Sequence, residues 1–169
     1  MNRKLILMRH AKSDWSQTSR EDFDRPLGGR GIVDATGMGQ WLKRHDHVPD
    51  TVISSPALRA WQTAEAVSFA LSVSMKNIHY DRSTYMAESE QLLQVLKDAP
   101  ARSGCVLLIG HNPELDELLT YLAADRLKRT SDGKLITTAA VAILSIPGDW
   151  NNLSAGSGHL LEMKRPSSR

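Results

Sequence analysis

The side chains best able to do chemistry in this chain are two histidines and two arginines: Arg9 with His10, Arg59, and His111. A guanidinium stays charged at any working pH and grips phosphate through paired hydrogen bonds, which a lysine ammonium cannot do. Imidazole can accept a proton, pass one on, or attack as a nucleophile near neutral pH. Taken singly, each residue has a plainer reading. A histidine after a strand is more often a hydrogen-bonded structural residue, and Arg59 on the first turn of a helix would usually be solvated. Chemistry depends on whether the chain brings the four together.

The elements predicted around them do so. Leu5 to Met8 is a short continuous apolar run, which reads as a buried strand. Thr51 to Ser54 reads as a second strand and Cys105 to Ile109 as a third. Asn77 to Tyr80 reads as a short edge strand, and Ala139 to Ile146 pairs with Gly158 to Lys164 across the turn Asn151 to Gly156. Between them, Ile32, Ala35, Gly39 and Leu42 recur at helical spacing over Gly29 to Arg44. Ser55-Pro56 supplies a capping hydroxyl and a first-turn proline for a helix with Leu58, Trp61, Ala64, Val67 and Leu71 on one face. Glu88 to Ala99 is amphipathic, and Asn112-Pro113 opens a further helix whose positive end suits Glu114 and Asp116. Residues 11 to 26 read as a loop.

Strands alternating with helices predict an α/β fold, a three-layer α/β/α sandwich with a mostly parallel central sheet. Ligands bind such sheets at the carboxyl ends of the strands. Arg9-His10, Ser54-Ser55 and Gly110-His111 all fall there. Two imidazoles and two guanidiniums at one sheet edge, with helix N-termini beside them, suit a tetrahedral dianion.

Composition sets the outer limits. The chain has 169 residues, 41% of them hydrophobic and 24% charged, with a net charge of +2. That length fits one domain, expected over residues 1 to 165 with a loose tail at 166 to 169. The charge balance gives no argument for nucleic acid or membrane binding. The single cysteine, Cys105, excludes an intrachain disulfide, suits a reducing compartment, and reads as a buried structural thiol. No apolar run is long enough for a signal peptide or a membrane span, so a cytoplasmic location is expected.

The ordered motifs resemble those of the histidine phosphatase superfamily, the phosphoglycerate mutase-like fold. Leu7-Met8-Arg9-His10-Ala11 is similar to its Arg-His-Gly signature. Ser54-Ser55-Pro56-Ala57-Leu58-Arg59-Ala60-Trp61-Gln62-Thr63-Ala64 resembles its second motif, and Gly110-His111-Asn112 its third. Asp24-Arg25-Pro26-Leu27 resembles a loop of the small branch, the SixA-type phosphohistidine phosphatases. Four motifs in family order cover nearly the whole chain.

The resemblance implies that His10 is a nucleophile forming a phosphohistidine that water then hydrolyses. It implies that Arg9, Arg59 and His111 hold the phosphoryl oxygens. Arg25 is a further candidate phosphate ligand, with a salt bridge to Asp22 or Asp24 as the equal alternative. Ser13 and Asn112 are candidate hydrogen-bond donors, with capping or turn roles as the alternative. No metal and no cofactor is expected, since guanidinium and imidazole supply the positive charge.

Two departures stand out. Ala11 replaces a glycine common in the superfamily, which asks for an ordinary backbone conformation there. Mutase-like members also carry a glutamate general acid after the second helix, whereas Ser83 to Ala87 holds no acid. Glu88 is a possible general acid or a helix cap. A phosphohistidine needs less protonation to depart than an alkoxide does. A phosphohistidine is therefore the expected substrate, and the resemblance implies that a phosphorylated protein such as a histidine-containing phosphotransfer domain carries it. The alternatives are a broad phosphomonoesterase on small phosphorylated metabolites and a phosphate-binding docking module with little turnover. His45-Asp46-His47 reads as a solvated loop rather than a metal site, Asp22-Phe23-Asp24 lacks the preceding strand of an aspartyl-phosphate enzyme, and there is no Walker or dinucleotide glycine pattern. His79 and His159 read as edge-strand residues. Trp15 could line the pocket, while Trp41, Trp61 and Trp150 pack on the core or its rim.

Overall fold

A computed structural model describes residues 2–167. The apolar runs become interior strands, because only a strand covered on both faces hides every side chain of such a run. β1 spans Asn2–Arg9, β2 Thr51–Ser54, β3 Ile78–Tyr80, β4 Cys105–Gly110, β5 Val141–Pro147 and β6 His159–Lys164. They form one sheet in the order β3-β2-β4-β1-β5-β6. β1 to β4 run parallel, β5 lies antiparallel to β1, and β6 antiparallel to β5. His79 and His159 lie on the two edge strands, as expected.

Alternate side chains of a strand leave opposite faces, and the core divides accordingly. Ile6 and Met8 of β1 pack with α1 (Gly29–Arg44) and α2 (Leu58–Leu71). Leu5 and Leu7 pack with α3 (Ser89–Lys97) and α4 (Glu114–Leu122). The result is the expected three-layer α/β/α sandwich.

Local readings needed correction where backbone geometry overrides pattern. α2 begins at Leu58 rather than Pro56, because Ala57 keeps an extended ψ of 136°, and the Ser55 hydroxyl accepts the Ala57 amide at 3.2 Å. α4 begins at Glu114, after Pro113. Ile32 is 50% exposed, and Gly31 and Met38 face inward instead. Trp61 stands on the rim, stacked 4.1 Å from Tyr80. β5 starts at Val141, because Ala139 takes a left-handed φ of 60°. The turn into β6 holds a short 3-10 turn, Trp150–Asn152, with Trp150 buried and donating to the Ser103 carbonyl. His45-Asp46-His47 lies in a turn past α1 with His45 and Asp46 exposed, as expected; both imidazole rings lean on Trp41, and His47 Nδ1 lies 2.9 Å from Lys4 Nζ. Burial pushes the Cys105 thiol up to about 12, so it stays protonated. Residues 168–169 of the expected tail lie outside the described residues. Among the described residues, no helix is long and apolar enough to cross a membrane.

Candidate active site

Main-chain bonds at the strand ends tie the three motifs together. The His10 amide donates to the Gly110 carbonyl at 3.0 Å, and the Ser55 amide donates to the Ile109 carbonyl at 3.0 Å. On the other side, the Arg9 amide donates to Ala140, and the Ala139 amide to Arg9. Arg9, His10, Arg59 and His111 therefore meet at the carboxyl end of the sheet. They line a cleft of about 470 Å³ with Ser13, Trp15, Arg25 and Asn112.

His10 is built to present one nitrogen. Its Nδ1–H donates to the Ala11 carbonyl at 2.7 Å, which leaves the lone pair on Nε2. The Ala11 amide is held in turn by Thr63 Oγ1 at 3.0 Å, and that hydroxyl donates to the Arg59 carbonyl at 2.7 Å. Ala11 is buried and keeps an ordinary backbone, so a methyl group fits there. Burial and the charges of Arg59, Arg9 and Arg25 pull the His10 pKa down to about 4. The ring is thus neutral at physiological pH, the state in which it can attack.

His111 lies 5.2 Å from His10 between ring centres. Arg59 Nη2 approaches its Nδ1 at 3.4 Å and can only donate, so Nε2–H donates to Ser55 Oγ at 2.8 Å. Burial, then the neighbouring His10 and Arg59, lower its pKa to about 3.

The arginines combine held and open donors. Arg59 donates Nη1 to the Asp22 carbonyl and Nη2 to the Asp22 carboxylate. Arg25 donates Nε to Ser13 Oγ at 3.0 Å and Nη1 to Asp22 Oδ1 at 2.7 Å, and stacks 3.6 Å above the Trp15 ring. The two readings of Arg25 are therefore compatible: it pairs with Asp22 and also lines the cleft. Arg9 Nε and Arg59 Nε are buried without a hydrogen-bond partner, an arrangement that an oxyanion would satisfy.

Other sequence-predicted residues take supporting places. Ser13 orients Arg25. Asn112 turns its amide nitrogen to the Ile136 carbonyl at 2.8 Å and leaves Oδ1 buried and unpartnered. Glu88 stands exposed on an adjoining cleft wall, its amide bonded to the Gln91 side chain at the start of α3.

Sequence reasoning missed Asp22, Tyr85 and Ser55 as site residues. Asp22 bridges Arg25 and Arg59 while the Tyr85 hydroxyl donates to it at 2.7 Å. Burial alone would raise the Asp22 carboxyl, but the bonds from Tyr85 and Arg25 and the Arg59 charge outweigh it and hold it at about 2. Glu114 was read only as a charge favouring a helix end, yet it is buried beside His111.

Comparison with known proteins agrees with this geometry. Residues 5–83 match the sequence profile of the Histidine phosphatase superfamily (branch 1). The phosphohistidine phosphatase SixA of Escherichia coli is 29% identical over 151 residues, covering 88% of each chain. A structure from Nakamurella multipartitia, described as a candidate phosphohistidine phosphatase SixA, superimposes with a TM-score of 0.85 at 28% identity, covering 99% of this chain and 98% of its own. A candidate SixA from Agrobacterium tumefaciens gives a TM-score of 0.77 at 26% identity, covering 98% of this chain and 99% of its own. With the signature residues gathered at one sheet edge, the chain resembles the histidine phosphatase superfamily over residues 5–83 and shares its fold end to end with the SixA structures.

Proposed function

We propose that this phosphatase hydrolyses phosphohistidine on a protein partner, through a phosphoryl group carried on His10 and without a metal. The observation that carries the reading is the His10 ring itself. Its Nδ1–H is committed to the Ala11 carbonyl, its Nε2 is free, and it is neutral among buried guanidiniums. A neutral imidazole attacks phosphorus through Nε2 while Arg9 and Arg59 gather the equatorial oxygens, joined by His111 once the arriving dianion favours a proton on its Nδ1. Water then attacks the phosphohistidine and releases phosphate.

Likeness to SixA relatives supports the protein substrate. A histidine-containing phosphotransfer domain is the partner proposed. The deciding experiment offers the purified protein a phosphohistidine protein and small phosphate esters side by side. Faster release from phosphohistidine, and an acid-labile, alkali-stable label lost in His10→Ala, are expected. Much faster cleavage of esters would overturn the substrate assignment. Phosphate binding with no label in the wild type would mark a docking module instead. Turnover should persist in excess chelator, because guanidinium groups carry the charge.

A further inference from the structure

Glu114 opens α4, where the helix N-terminus favours a negative charge. A residue chosen only for that role would stand in water, as Glu117 does one turn along. Glu114 is instead 7% exposed. Burial holds its carboxyl above the ordinary value despite the nearby charges of Arg59 and Arg9 and the pull of its own amide. It faces a cleft of about 450 Å³ that it shares with Arg59, His111 and Tyr85. It follows His111 by three residues, and the His111 carbonyl accepts the Leu115 amide, so the two share the turn that leads into α4.

We propose that Glu114 is the proton donor to the group leaving phosphorus, which extends the site to phosphate esters with poor alcohol leaving groups. This rests on the phosphoryl group passing to His10. In the first half-reaction the His10 Nε2 lone pair forms the new P–N bond. The bond from phosphorus to the departing oxygen or nitrogen breaks, its electron pair stays on that atom, and the Glu114 proton moves there. Glu114 is left as a carboxylate. In the second half-reaction that carboxylate takes a proton from the attacking water, the P–N bond to His10 breaks, and phosphate leaves.

Neighbouring groups suit the task less well. Asp22 is held at about 2 by its partners and has no proton to give. His111 is likewise unprotonated at neutral pH. Glu88 is exposed and sits across the cleft at the start of α3.

The test compares wild type, Glu114→Gln and Glu114→Asp on p-nitrophenyl phosphate and glycerol phosphate. The first releases a stabilised phenolate and needs little acid help; the second releases an alkoxide. For Glu114→Gln, kcat on glycerol phosphate should fall by about 100-fold, the usual range for loss of a general acid, with only a few-fold loss on the aryl ester. Glu114→Asp keeps a proton at shorter reach and should fall between. Equal losses on both esters, or no loss on either, would overturn the proposal, as would a wild type that labels His10 yet leaves glycerol phosphate untouched. A wild type that never labels His10 would instead bring down the phosphoryl-transfer reading, and this inference with it.

Discussion

Asp22 holds Arg59 twice: its carbonyl takes Nη1 at 2.7 Å and its carboxylate takes Nη2 at 3.1 Å. The same carboxylate holds Arg25 and accepts from Tyr85. One half-exposed aspartate thus fixes the direction of two guanidiniums that line the phosphate cleft. Asp22→Ala should lower kcat/KM on any phosphorylated substrate by roughly 10-fold, since misplaced positioning groups cost rate even when the reacting groups are intact. Steady-state kinetics on a small ester checks this, and wild-type kcat/KM in the variant would show that Arg59 is held some other way.

The two imidazoles set the response to acid. His10 has a folded pKa of about 4 and His111 of about 3, both below the ordinary value of 6.5. His10 therefore stays neutral, and able to attack, well below pH 6, so the acid limb of kcat/KM should lie near pH 4 rather than 6.5. Stability has the matching sign. Between pH 6.5 and 4 the unfolded chain binds protons that the folded chain refuses, so stability present above 6.5 is lost as pH falls. The loss is on the order of 3 kcal/mol from His10 alone. Denaturant midpoints from pH 7 to 4, compared with His10→Ala, measure it, and a variant with the same slope as wild type would refute the assignment.

Three glycines of α1 should respond differently to alanine. A Cβ on Gly31 would run into the Lys12 carbonyl, two residues past His10. A Cβ on Gly39 would lie 2.8 Å from Ala70 Cβ and from the Val67 carbonyl of α2. Gly37 meets nothing within 4 Å. Gly39→Ala should cost about 1–3 kcal/mol by overpacking. Gly31→Ala should cost a similar amount and also lower activity, because it pushes on the loop that carries Ala11. Gly37→Ala should gain about 0.5–1 kcal/mol from helix propensity. Thermal melts of the three side by side give the ranking, and equal shifts would contradict it.

Thr63 links the nucleophile loop to α2 through one hydroxyl. Thr63→Val keeps the shape but strands the buried Ala11 amide, at a cost of about 1–3 kcal/mol. The Ala11 carbonyl that fixes the His10 tautomer should then shift, lowering the rate of His10 labelling. Unaltered labelling with normal stability would show that Ala11 does not depend on Thr63.

The three central strands were legible because Leu5 to Met8, Thr51 to Ser54 and Cys105 to Ile109 have no polar face, and a run without one has few places to go. The four motif residues were legible for the same reason: each sits just past or within a turn of such a run. Helix faces were harder. Ile32 and Trp61 match the helical period, yet both stand largely outside the core, while Gly31, pressed against Lys12, takes an inward position on α1. Asp22 and Tyr85 stand 63 residues apart in sequence, and no local pattern could pair them. Glu114 carries a good local explanation, helix-end charge, which hid its burial.

β1 is bonded on both sides right up to Arg9 and His10, by Gly110 on one flank and by Ala139 and Ala140 on the other. These bonds are all main-chain, so removing the His10 ring leaves them in place. A catalytically dead His10→Ala protein should therefore remain folded, with its guanidinium cleft intact and no means of discharging what it holds. Immobilised, such a protein becomes bait, retaining phosphorylated partners that the active form would release, and so offers a direct route to the physiological substrate.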